Sequence, residues 1–534
     1  MSQPRSVRSR AAAPARLEAV LFDMDGVVTD TARAHAAAWK RLFDQVLRAR
    51  GEAPRPFDPE RDYRELVDGK PRHDGIRSFL RSRGVDLPEG GPDDPPEAET
   101  VVGLGRRKQR YFRAWLRDNQ VRTYPGTLKL IRDLRELGVR TAVFSSSRNM
   151  EAVLRNAGAL ELFEVRVGGE DLAALALPGK PHPALLHEAA ARLGVSPGRA
   201  AVIEDAVAGV EAGVRGGFAL VIGVDRGDQR DDALGRAGAH LVVRDLSELL
   251  ASERRGLTVK TVERLPGLLE HEDALRTRLS GRRPVVFLDY DGTLTPIVED
   301  PARALLAADM RAAVAALART CTVAIVSGRG LEHLRRLIDV DAVFLAGSHG
   351  LEIAGPAGST ARLERGVELL PRLDQAERRL REALAGIAGH EVERKRLSLA
   401  VHYRRAARED VPRIAAIVDE ALAERGGLRR GGGKEVFRIQ PDVDWDKGRA
   451  ALWILERLEP PAAEVLPIYV GDDLTDEDAF RALSGRGLTV IVRDHEARPT
   501  AADYAVADVA EVKRLLELIT ALSVAPARSA GGRR

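Results

Sequence analysis

Short apolar runs that stop at acidic or hydroxyl residues recur along the chain. Ala19–Phe22 runs into Asp23, Thr141–Phe144 into Ser145, and Ala201–Ile203 into Glu204 and Asp205. The same happens at Val285–Leu288 before Asp289, at Val323–Val326 before Ser327, and at Ile468–Val470 before Gly471, Asp472 and Asp473. Such runs are too short for helices and suit strands buried on both faces. Between them lie helix-like segments: Gly126–Leu137, Pro183–Leu193, Ala206–Arg215, Ala302–Arg319, Lys447–Arg457 and Thr475–Leu483. Strands alternating with helices predict βαβ units, a parallel sheet and an α/β fold. In such sheets ligands bind at the carboxyl ends of the strands, where these polar residues fall.

The pattern is also an internal repeat. Asp23-Met24-Asp25-Gly26-Val27-Val28-Thr29-Asp30 returns as Asp289-Tyr290-Asp291-Gly292-Thr293-Leu294-Thr295-Pro296. In each half a run ending in Ser follows, then a lysine (Lys180, Lys447), then a run ending in acids. The spacing from Lys180 to Asp205 and from Lys447 to Asp472 is 25 residues in both. Asp23 to Ser145 spans 122 residues and Ser145 to Lys180 spans 35, whereas Asp289 to Ser327 spans 38 and Ser327 to Lys447 spans 120. One core therefore carries an insertion of about 80 residues at two different points. The first, about 32–122, reads as helical: Ala34–Arg50, a Pro/Asp-rich loop at Pro88–Pro96, and Leu104–Asn119. The second, about 355–441, mixes a helix at Val367–Ala388 with strand pairs. Its last pair, Leu428–Arg430 and Val436–Ile439, brackets Gly431–Gly433, read as a hairpin turn.

Composition narrows the function classes. The chain has 534 residues, 44% hydrophobic and 31% charged, as ordinary globular proteins do. No apolar run reaches the ~18 residues of a membrane span. The net charge is only +3 and aromatics are 4%, which speaks against nucleic acid as a partner. Cys321 is the single cysteine, so no intramolecular disulfide forms. With no apolar signal segment at the N-terminus, the expectation is a cytoplasmic protein without a membrane partner. Lysine is scarce, ten against 73 arginines, so a lysine inside a repeated motif stands out from the background. Trp39, Trp115 and Trp453 are expected in the core, and His271 and His495 at the surface.

The repeated residues fit one chemistry. In Asp-x-Asp at a strand end, the first carboxylate can attack an electrophile. The second can protonate a leaving group and later activate water. Two such acids repel, so a cation belongs beside them, and a third acid from another strand end completes an oxygen site suited to Mg²⁺. Lysine and Ser hydroxyls would grip phosphate oxygens, as phosphoryl transfer requires. Singly, each motif has a structural explanation: a turn, an N-cap, a surface lysine. Four in the same order, twice, do not.

At these residues both halves resemble the haloacid-dehalogenase superfamily of aspartate-nucleophile phosphotransferases. The resemblance implies two Rossmann-like cores with parallel sheets flanked by helices. The first would have a helical cap after the Asp motif, the second an α/β cap after the Ser motif. The expected layout is a disordered tail at 1–15, a first domain at 16–250, a linker at 251–283, a second domain at 284–522 and a tail at 523–534. A short helix at Glu270–Leu279 is expected in the linker.

The second half resembles trehalose-6-phosphate phosphatases, through Leu288–Ile297, Val326–Arg329, Ala346–Gly350, Trp445–Gly448, Gly471–Phe480 and a lid with Val392–Lys395 and His402–Arg404. The resemblance implies Asp289 as nucleophile and Asp291 as acid/base. It implies Mg²⁺ on Asp289, Asp472 and the Asp291 carbonyl, with Asp473 or Asp476 in support. Ser327, Gly328, Arg329 and Lys447 would hold phosphate, and His349, Glu393, Lys395, His402 and Arg404 the sugar. One departure stands out. That family usually has Glu-x-Arg-Pro before the Lys-Gly motif, whereas this chain has Arg438-Ile439-Gln440-Pro441.

The first half resembles β-phosphoglucomutases and related sugar-phosphate phosphatases, through Phe22–Thr31, His35, Ser145–Asn149, Lys180-Pro181 and Glu204-Asp205. The resemblance implies Asp23 as nucleophile, Asp25 as acid/base, and Asp23, Asp25, Glu204 and Asp205 around the metal. Ser145, Ser146 and Lys180 would hold one phosphate, Arg148 and Asn149 a second. Lys108 and His35 would belong to the cap side of the site. Ala206 stands where mutases often have Ser. The expected function is Mg²⁺-dependent removal of phosphate from trehalose 6-phosphate. It is fused to a second sugar-phosphate phosphatase or mutase, with β-glucose 1-phosphate as a candidate substrate. The alternatives are another glycosyl phosphate for the second half, and a silent sensor or docking module for the first.

Overall fold

The computed structural model describes residues 17–50, 55–59, 61–67, 72–227, 233–252, 256–298, 303–423, 427–433, 435–458, 464–494 and 497–524. The expected tail at 1–15 and His495 lie outside these residues, as does 525–534. Residues 523 and 524 end a helix, Val509–Val524. The chain divides into two compact units after Val259.

The first unit holds six strands: β1 (Ala19–Asp23), β2 (Arg140–Phe144), β3 (Val165–Val167), β4 (Ala200–Glu204), β5 (Leu220–Val224) and β6 (Leu241–Val243). They form one parallel sheet in the order β3-β2-β1-β4-β5-β6. Side chains alternate between the faces of a strand. Val20 and Phe22 pack with Leu130, Ile131 and Leu134 of the helix Pro125–Glu136. Ala19 and Leu21 pack with Leu185, Leu186 and Ala189 of the helix Ala184–Leu193. Both faces being covered explains why these strands read as unbroken apolar runs. β1 is central, so Asp23 lies between the strand ends of Ser145 and of Glu204-Asp205.

The helical insertion is α1 (Ala32–Ala49), α2 (Arg72–Ser82) and α3 (Val101–Asp118). α1 buries Trp39, Leu42, Phe43 and Val46 at helical spacing. Phe43 stacks on Phe79 of α2, centroids 3.9 Å apart. Thr100 caps α3 by accepting from the Gly103 N–H at 3.0 Å. A hairpin of β7 (Leu249–Ser252) and β8 (Gly256–Val259) closes the unit.

The second unit repeats the plan with longer edges. β9 (Arg283–Leu288), β10 (Thr322–Val326), β11 (Phe344–Gly347), β12 (Glu352–Ala354) and β13 (Arg362–Glu364) lie on one side. The insertion adds β14 (Glu391–Lys395), β15 (Ser398–His402), β16 (Leu428–Gly433) and β17 (Val436–Pro441); β18 (Val465–Gly471), β19 (Leu488–Val492) and β20 (Tyr504–Val506) follow. The core sheet runs β13-β12-β11-β10-β9-β18-β19-β20. Again the central strand, β9, lies between the Ser strand β10 and the Asp472 strand β18.

Three expectations are corrected. β12 and β13 extend the core sheet antiparallel, so the second cap begins after residue 364 rather than near 355. The 251–283 stretch, expected as a linker with a short helix, is divided between the two units after Val259. Its start belongs to the β7–β8 hairpin, and its helix, Glu272–Leu279, buries Leu275 and Leu279 in the second unit's core. Gly431–Gly433 are not the hairpin turn but strand residues, paired with Arg438, Phe437 and Val436. The turn comes after them, with Glu435 at φ +58°.

The cap is a four-stranded antiparallel sheet, β14-β15-β17-β16. Val392, Leu399, Val401, Phe437 and Ile439 pack on the helices Leu370–Leu384 and Val411–Ala423. The sheet's other face is polar. Trp39 and Trp453 are buried, Trp115 is half-buried, and His271 is exposed. No helix among the described residues is long and apolar enough to cross a membrane.

Candidate active sites

In the second unit, β9 delivers Asp289 into the sheet's carboxyl edge, 4% exposed. Lys447, at the start of the helix Lys447–Leu455, donates to Asp289 Oδ1 and to Asp476 Oδ1, both at 2.8 Å. Asp476 is fully enclosed. Its Oδ1 also accepts from Tyr469 Oη at 2.8 Å, and its Oδ2 from the N–H groups of Asp472 (3.1 Å) and Asp473 (3.0 Å). Asp472 accepts from Thr293 Oγ1 at 3.1 Å. Its carbonyl accepts from Arg498 Nη2 at 2.7 Å, and Arg498 pairs with buried Glu477 at 2.9 Å.

Asp289, Asp472 and Asp476 can each offer an oxygen within 4.8 Å of the others. Burial raises the Asp289 carboxyl to about 7, Lys447 opposing and Asp476 adding to it. Burial, Asp289 and Asp476 raise Asp472 to about 9. For Lys447 burial works against the charge, but Asp289 and Asp476 outweigh it and keep the ammonium protonated. An all-oxygen set of crowded, desolvated acids is what a hard divalent cation relieves. Asp476 has its lone pairs taken by four donors, which leaves Asp289 and Asp472 as the open oxygens.

Asp473 does not join the cluster. Its carboxylate is turned to the Leu474 N–H at 2.7 Å. The 25-residue spacing from the lysine pairs Asp472 with Asp205, and both stand in the same relation to the Asp-motif glycine; the counterpart of Glu204, the acid that holds the lysine, is Asp476 and not Asp473.

Gly292 is at φ +82°, and a Cβ there would stand 2.0 Å from Asp472 Oδ2. Gly26, at φ +77°, has the same relation to Asp205 Oδ2 at 1.7 Å. Both the backbone and the space demand glycine.

Asp291 is gripped by Arg329, Nε to Oδ2 at 2.8 Å and Nη2 to Oδ1 at 2.6 Å. Ser327 Oγ, buried, accepts from the Arg329 N–H at 3.2 Å. His349 has φ +58°, within a left-handed run that includes Ser348 and Gly350. The Trp445 indole donates to the Gly350 carbonyl at 2.7 Å and fixes this turn. The His349 ring lies against Gly328, where a Cβ would meet it at 2.8 Å.

From the lid, β14 and β15 pair as a hairpin with Glu393 opposite Ala400 and Lys395 opposite Ser398. Glu393, Lys395 and His402 thus share the polar face. His402 Nε2 and Glu393 Oε2 are 3.0 Å apart. Arg404 does not reach this group. It stands half exposed at the end of β15, donating to Glu435 at 2.7 Å.

The first unit repeats the inner arrangement. Lys180 donates to Asp23 Oδ1 at 2.9 Å and to Glu204 at 3.2 Å. Asp23, Glu204 and Asp205 form the second acidic trio. Burial and Glu204 raise Asp23 well above the usual carboxylate range. Desolvation and Asp23 raise Asp205 to about 8, and burial raises Glu204 to about 7. Asp25 accepts from Thr31 Oγ1 and from Ser145 Oγ at 3.0 Å. Lys108 Nζ and His35 Nδ1 are 2.6 Å apart, and Lys108 lies over the rings of Trp39 and Phe112. Asn149 accepts from Gln109 at 2.6 Å, so cap and core meet there. Ser146 and Arg148 are exposed on the same loop.

Sequence reasoning missed Arg72. It donates to Gln109 at 3.0 Å and its charge, next after burial, depresses the Lys108 ammonium to about 7. One arginine among 73 carries no signal. Arg498 was missed for the same reason, and Tyr469 and Gln109 because neither has a counterpart in the repeat.

Two sheets, the first parallel and the second parallel apart from its β12–β13 edge, each with an Asp at the end of the central strand, a lysine and a trio of acids, define a haloacid-dehalogenase-like hydrolase class. Residues 17–217 match the haloacid dehalogenase-like hydrolase family and residues 287–510 the trehalose-phosphatase family. A trehalose-phosphate phosphatase of Mycobacterium tuberculosis is 39% identical over 411 residues, which cover 76% of this chain and 94% of that protein. The chain belongs to the trehalose-phosphate phosphatase family. It is also 41% identical over 498 residues to an uncharacterized glycosyl hydrolase of M. tuberculosis, covering 91% of this chain. The chain spans 36% of that protein's length. A β-phosphoglucomutase structure from Clostridium difficile is 25% identical, covering 43% of this chain and 92% of that one, with a TM-score of 0.33.

Proposed function

We propose that the second unit removes phosphate from trehalose 6-phosphate through a phospho-aspartate on Asp289. The observation that carries the reading is Asp289 itself. It is buried at the central strand end, held by Lys447, and 4.8 Å or less from Asp472. A carboxylate oxygen of Asp289 attacks phosphorus. The sugar oxygen leaves and takes a proton from Asp291. Water, giving its proton back to Asp291, then attacks phosphorus, releasing inorganic phosphate and restoring Asp289.

Arg329 holds both oxygens of Asp291, so it must yield when substrate arrives, passing its donors to the phosphate. Ser327 and Lys447 supply further donors. Asp289, Asp472 and the Asp291 carbonyl would hold Mg²⁺, which supplies the positive charge that lets carboxylates face a phosphate dianion. Asp476 is a positioning residue that fixes Lys447 and the Asp472 loop. Glu393, Lys395, His402 and His349 line the sugar side.

The first unit acts on a small sugar phosphate by the same steps. Asp23 is the nucleophile and Asp25 the acid/base; Lys180, Ser145 and Ser146 hold phosphate, and Asp23 and Asp205 would hold Mg²⁺. Arg148, Asn149, Lys108 and Arg72 gather where a second phosphate would lie, which favours a mutase acting on β-glucose 1-phosphate.

The test is phosphate release from trehalose 6-phosphate by the full chain and by Asp289→Asn. The amide is a poor nucleophile and a poor metal ligand, so the rate should fall by roughly 10⁴–10⁶. Retention of more than a few per cent overturns the assignment.

A further inference from the structure

The polar face of the lid carries more positive charge than a neutral sugar needs. In the antiparallel register Arg438 lies opposite Ala400 and Gly431, and Arg429 opposite Gln440. Directly opposed residues share a face, so Arg429 and Arg438 join Glu393 and Lys395. Arg438 Nη1 lies 3.0 Å from His349 Nε2. Arginine can only donate, so Nε2 accepts and the ring proton sits on Nδ1. That Nδ1 is buried and finds no acceptor. Arg429 donates to the Trp445 carbonyl at 3.3 Å and, with the amide turned to present oxygen, to Gln440 at 3.1 Å. Among the described residues no carboxylate pairs with Arg429 or Arg438. Lys395 has Glu393 at 3.9 Å, and Glu393 is already engaged by His402. Burial, then Arg438, Lys447, Lys395 and Arg429, press on His349 and keep it neutral.

The corner is thus a set of donors with hardly an acceptor left. A sugar hydroxyl must donate as well as accept; an oxyanion only accepts, and guanidinium forks match it. We infer that Arg429, Arg438 and Lys395 form an anion subsite in the lid beside the phosphoryl seat at Asp289, with the neutral His349 ring backing Arg438. It takes a carboxylate or phosphate, either carried by the part of the substrate that leaves or present as free inorganic phosphate. This rests on the reading of the second unit as a glycosyl-phosphate phosphatase, and it refines which glycosyl phosphates fit.

The experiment uses sulfate as the probe, titrated calorimetrically into the full chain in EDTA, where no turnover occurs. The Arg429→Gln/Arg438→Gln double variant should bind sulfate about tenfold or more weakly at one class of site, the loss expected of charge-assisted hydrogen bonds. Arg438→Lys, which keeps the charge but not the fork, should bind sulfate more weakly than the wild type and more tightly than the double variant. Should the double variant fail to fold, the two single Gln variants carry the same comparison. Unchanged titrations overturn the subsite. So does a loss seen with Ser327→Ala but not with the lid variants, which puts the anion in the phosphoryl seat.

Initial rates then separate the sources. A kcat/KM advantage for sugar phosphates bearing a second carboxylate or phosphate, lost in the double variant, assigns the subsite to substrate. Variant-sensitive sulfate binding without that advantage assigns it to free phosphate. Failure of the trehalose 6-phosphate reading would appear in wild-type turnover alone and leave the sulfate titration standing.

Discussion

Asp473 and Asp476 lie three residues apart, and burial separates their roles. Asp476 satisfies four donors in a closed space, while Asp473 turns outward. Asp476→Asn would set an amide N–H₂ against Lys447 or the loop N–H groups. Breaking a buried charged network on one side costs about 3–5 kcal/mol, and the shift of Lys447 should lower phosphate release about a hundredfold. Asp473→Asn should stay within about threefold of wild type, as surface changes do. Equal losses in the two variants would refute this division of roles.

Lys108 makes a second residue-scale case. Its ordinary pKa is 10.5 and its folded value about 7, because burial and Arg72 disfavour the charge. Between pH 7 and 10.5 the unfolded chain keeps a proton that the fold has shed, so this group makes stability rise with pH there. Below about 7 its penalty is complete; above 10.5 it is gone. Lys108→Met should therefore raise the Tm of the first unit at pH 7, and the gain should shrink by pH 10. Paired thermal scans at the two pH values check this, and a gain independent of pH counts against it.

At the scale of elements, the lid hairpin shows what the chain does and does not announce. Read as one strand, 393 to 402 would put Lys395 and His402 on opposite faces. The two-residue turn at Arg396-Leu397 makes it two strands, and the antiparallel register returns both side chains to one face. Strands β1, β2, β4, β9, β10 and β18 were legible because each is a solid apolar run buried on both faces and ended by its chemical residue; β5 and β19 are as buried but end in no such residue. Three-residue strands such as β3, β6 and β12 were not legible, since so short a run has no period to detect. The Asp-x-Asp pairs, the lysines, the serines and Asp205 with Asp472 were legible because the repeat displays them twice; Asp476 stands outside the repeated position, so its role beside Lys447 shows only in the fold. Arg72 and Arg498 act on partners 37 and 21 residues away, and Tyr469 sits inside an apolar strand seven residues from Asp476; none has a repeated counterpart, so only the fold reveals them. The shared face yields a prediction. Glu393→Ala and Lys395→Ala should each raise KM for trehalose 6-phosphate severalfold, and lower kcat as well if the lid closes on the transition state. Arg404→Ala, which breaks only an exposed pair with Glu435 worth about 0–1 kcal/mol, should leave both constants within about twofold. Steady-state kinetics on the three variants decide it, and an Arg404 effect as large as that of Lys395 would contradict the placement.

At the scale of the whole molecule, each unit has its own sheet, its own cores and its own acidic trio. No residue of either trio comes from the other unit, so the two chemistries should be separable in the intact chain. Asp289→Asn should abolish phosphate release from trehalose 6-phosphate and leave the first unit working, and Asp23→Asn should do the reverse. EDTA should silence both, since in each site crowded carboxylates must meet a phosphate dianion. The Asp289→Asn protein is then the background in which to identify the first activity. A phosphatase lets water reach the phospho-aspartate, whereas a mutase closes its cap and offers a second phosphate to the same Asp. The cap contacts its core through Gln109 and Asn149, and Arg72 and Arg148 supply cations away from the acidic trio. Given a bisphosphate primer, the Asp289→Asn protein should interconvert β-glucose 1-phosphate and glucose 6-phosphate. Arg148→Ala in that background should slow the exchange about tenfold or more, the worth of one charge-assisted phosphate contact. It should slow hydrolysis of a small phosphomonoester much less, because that substrate has no second phosphate to hold. Exchange that never appears at any primer concentration, with hydrolysis intact, leaves a plain phosphatase. Loss of both with Asp23 unchanged points to a module that binds without turning over.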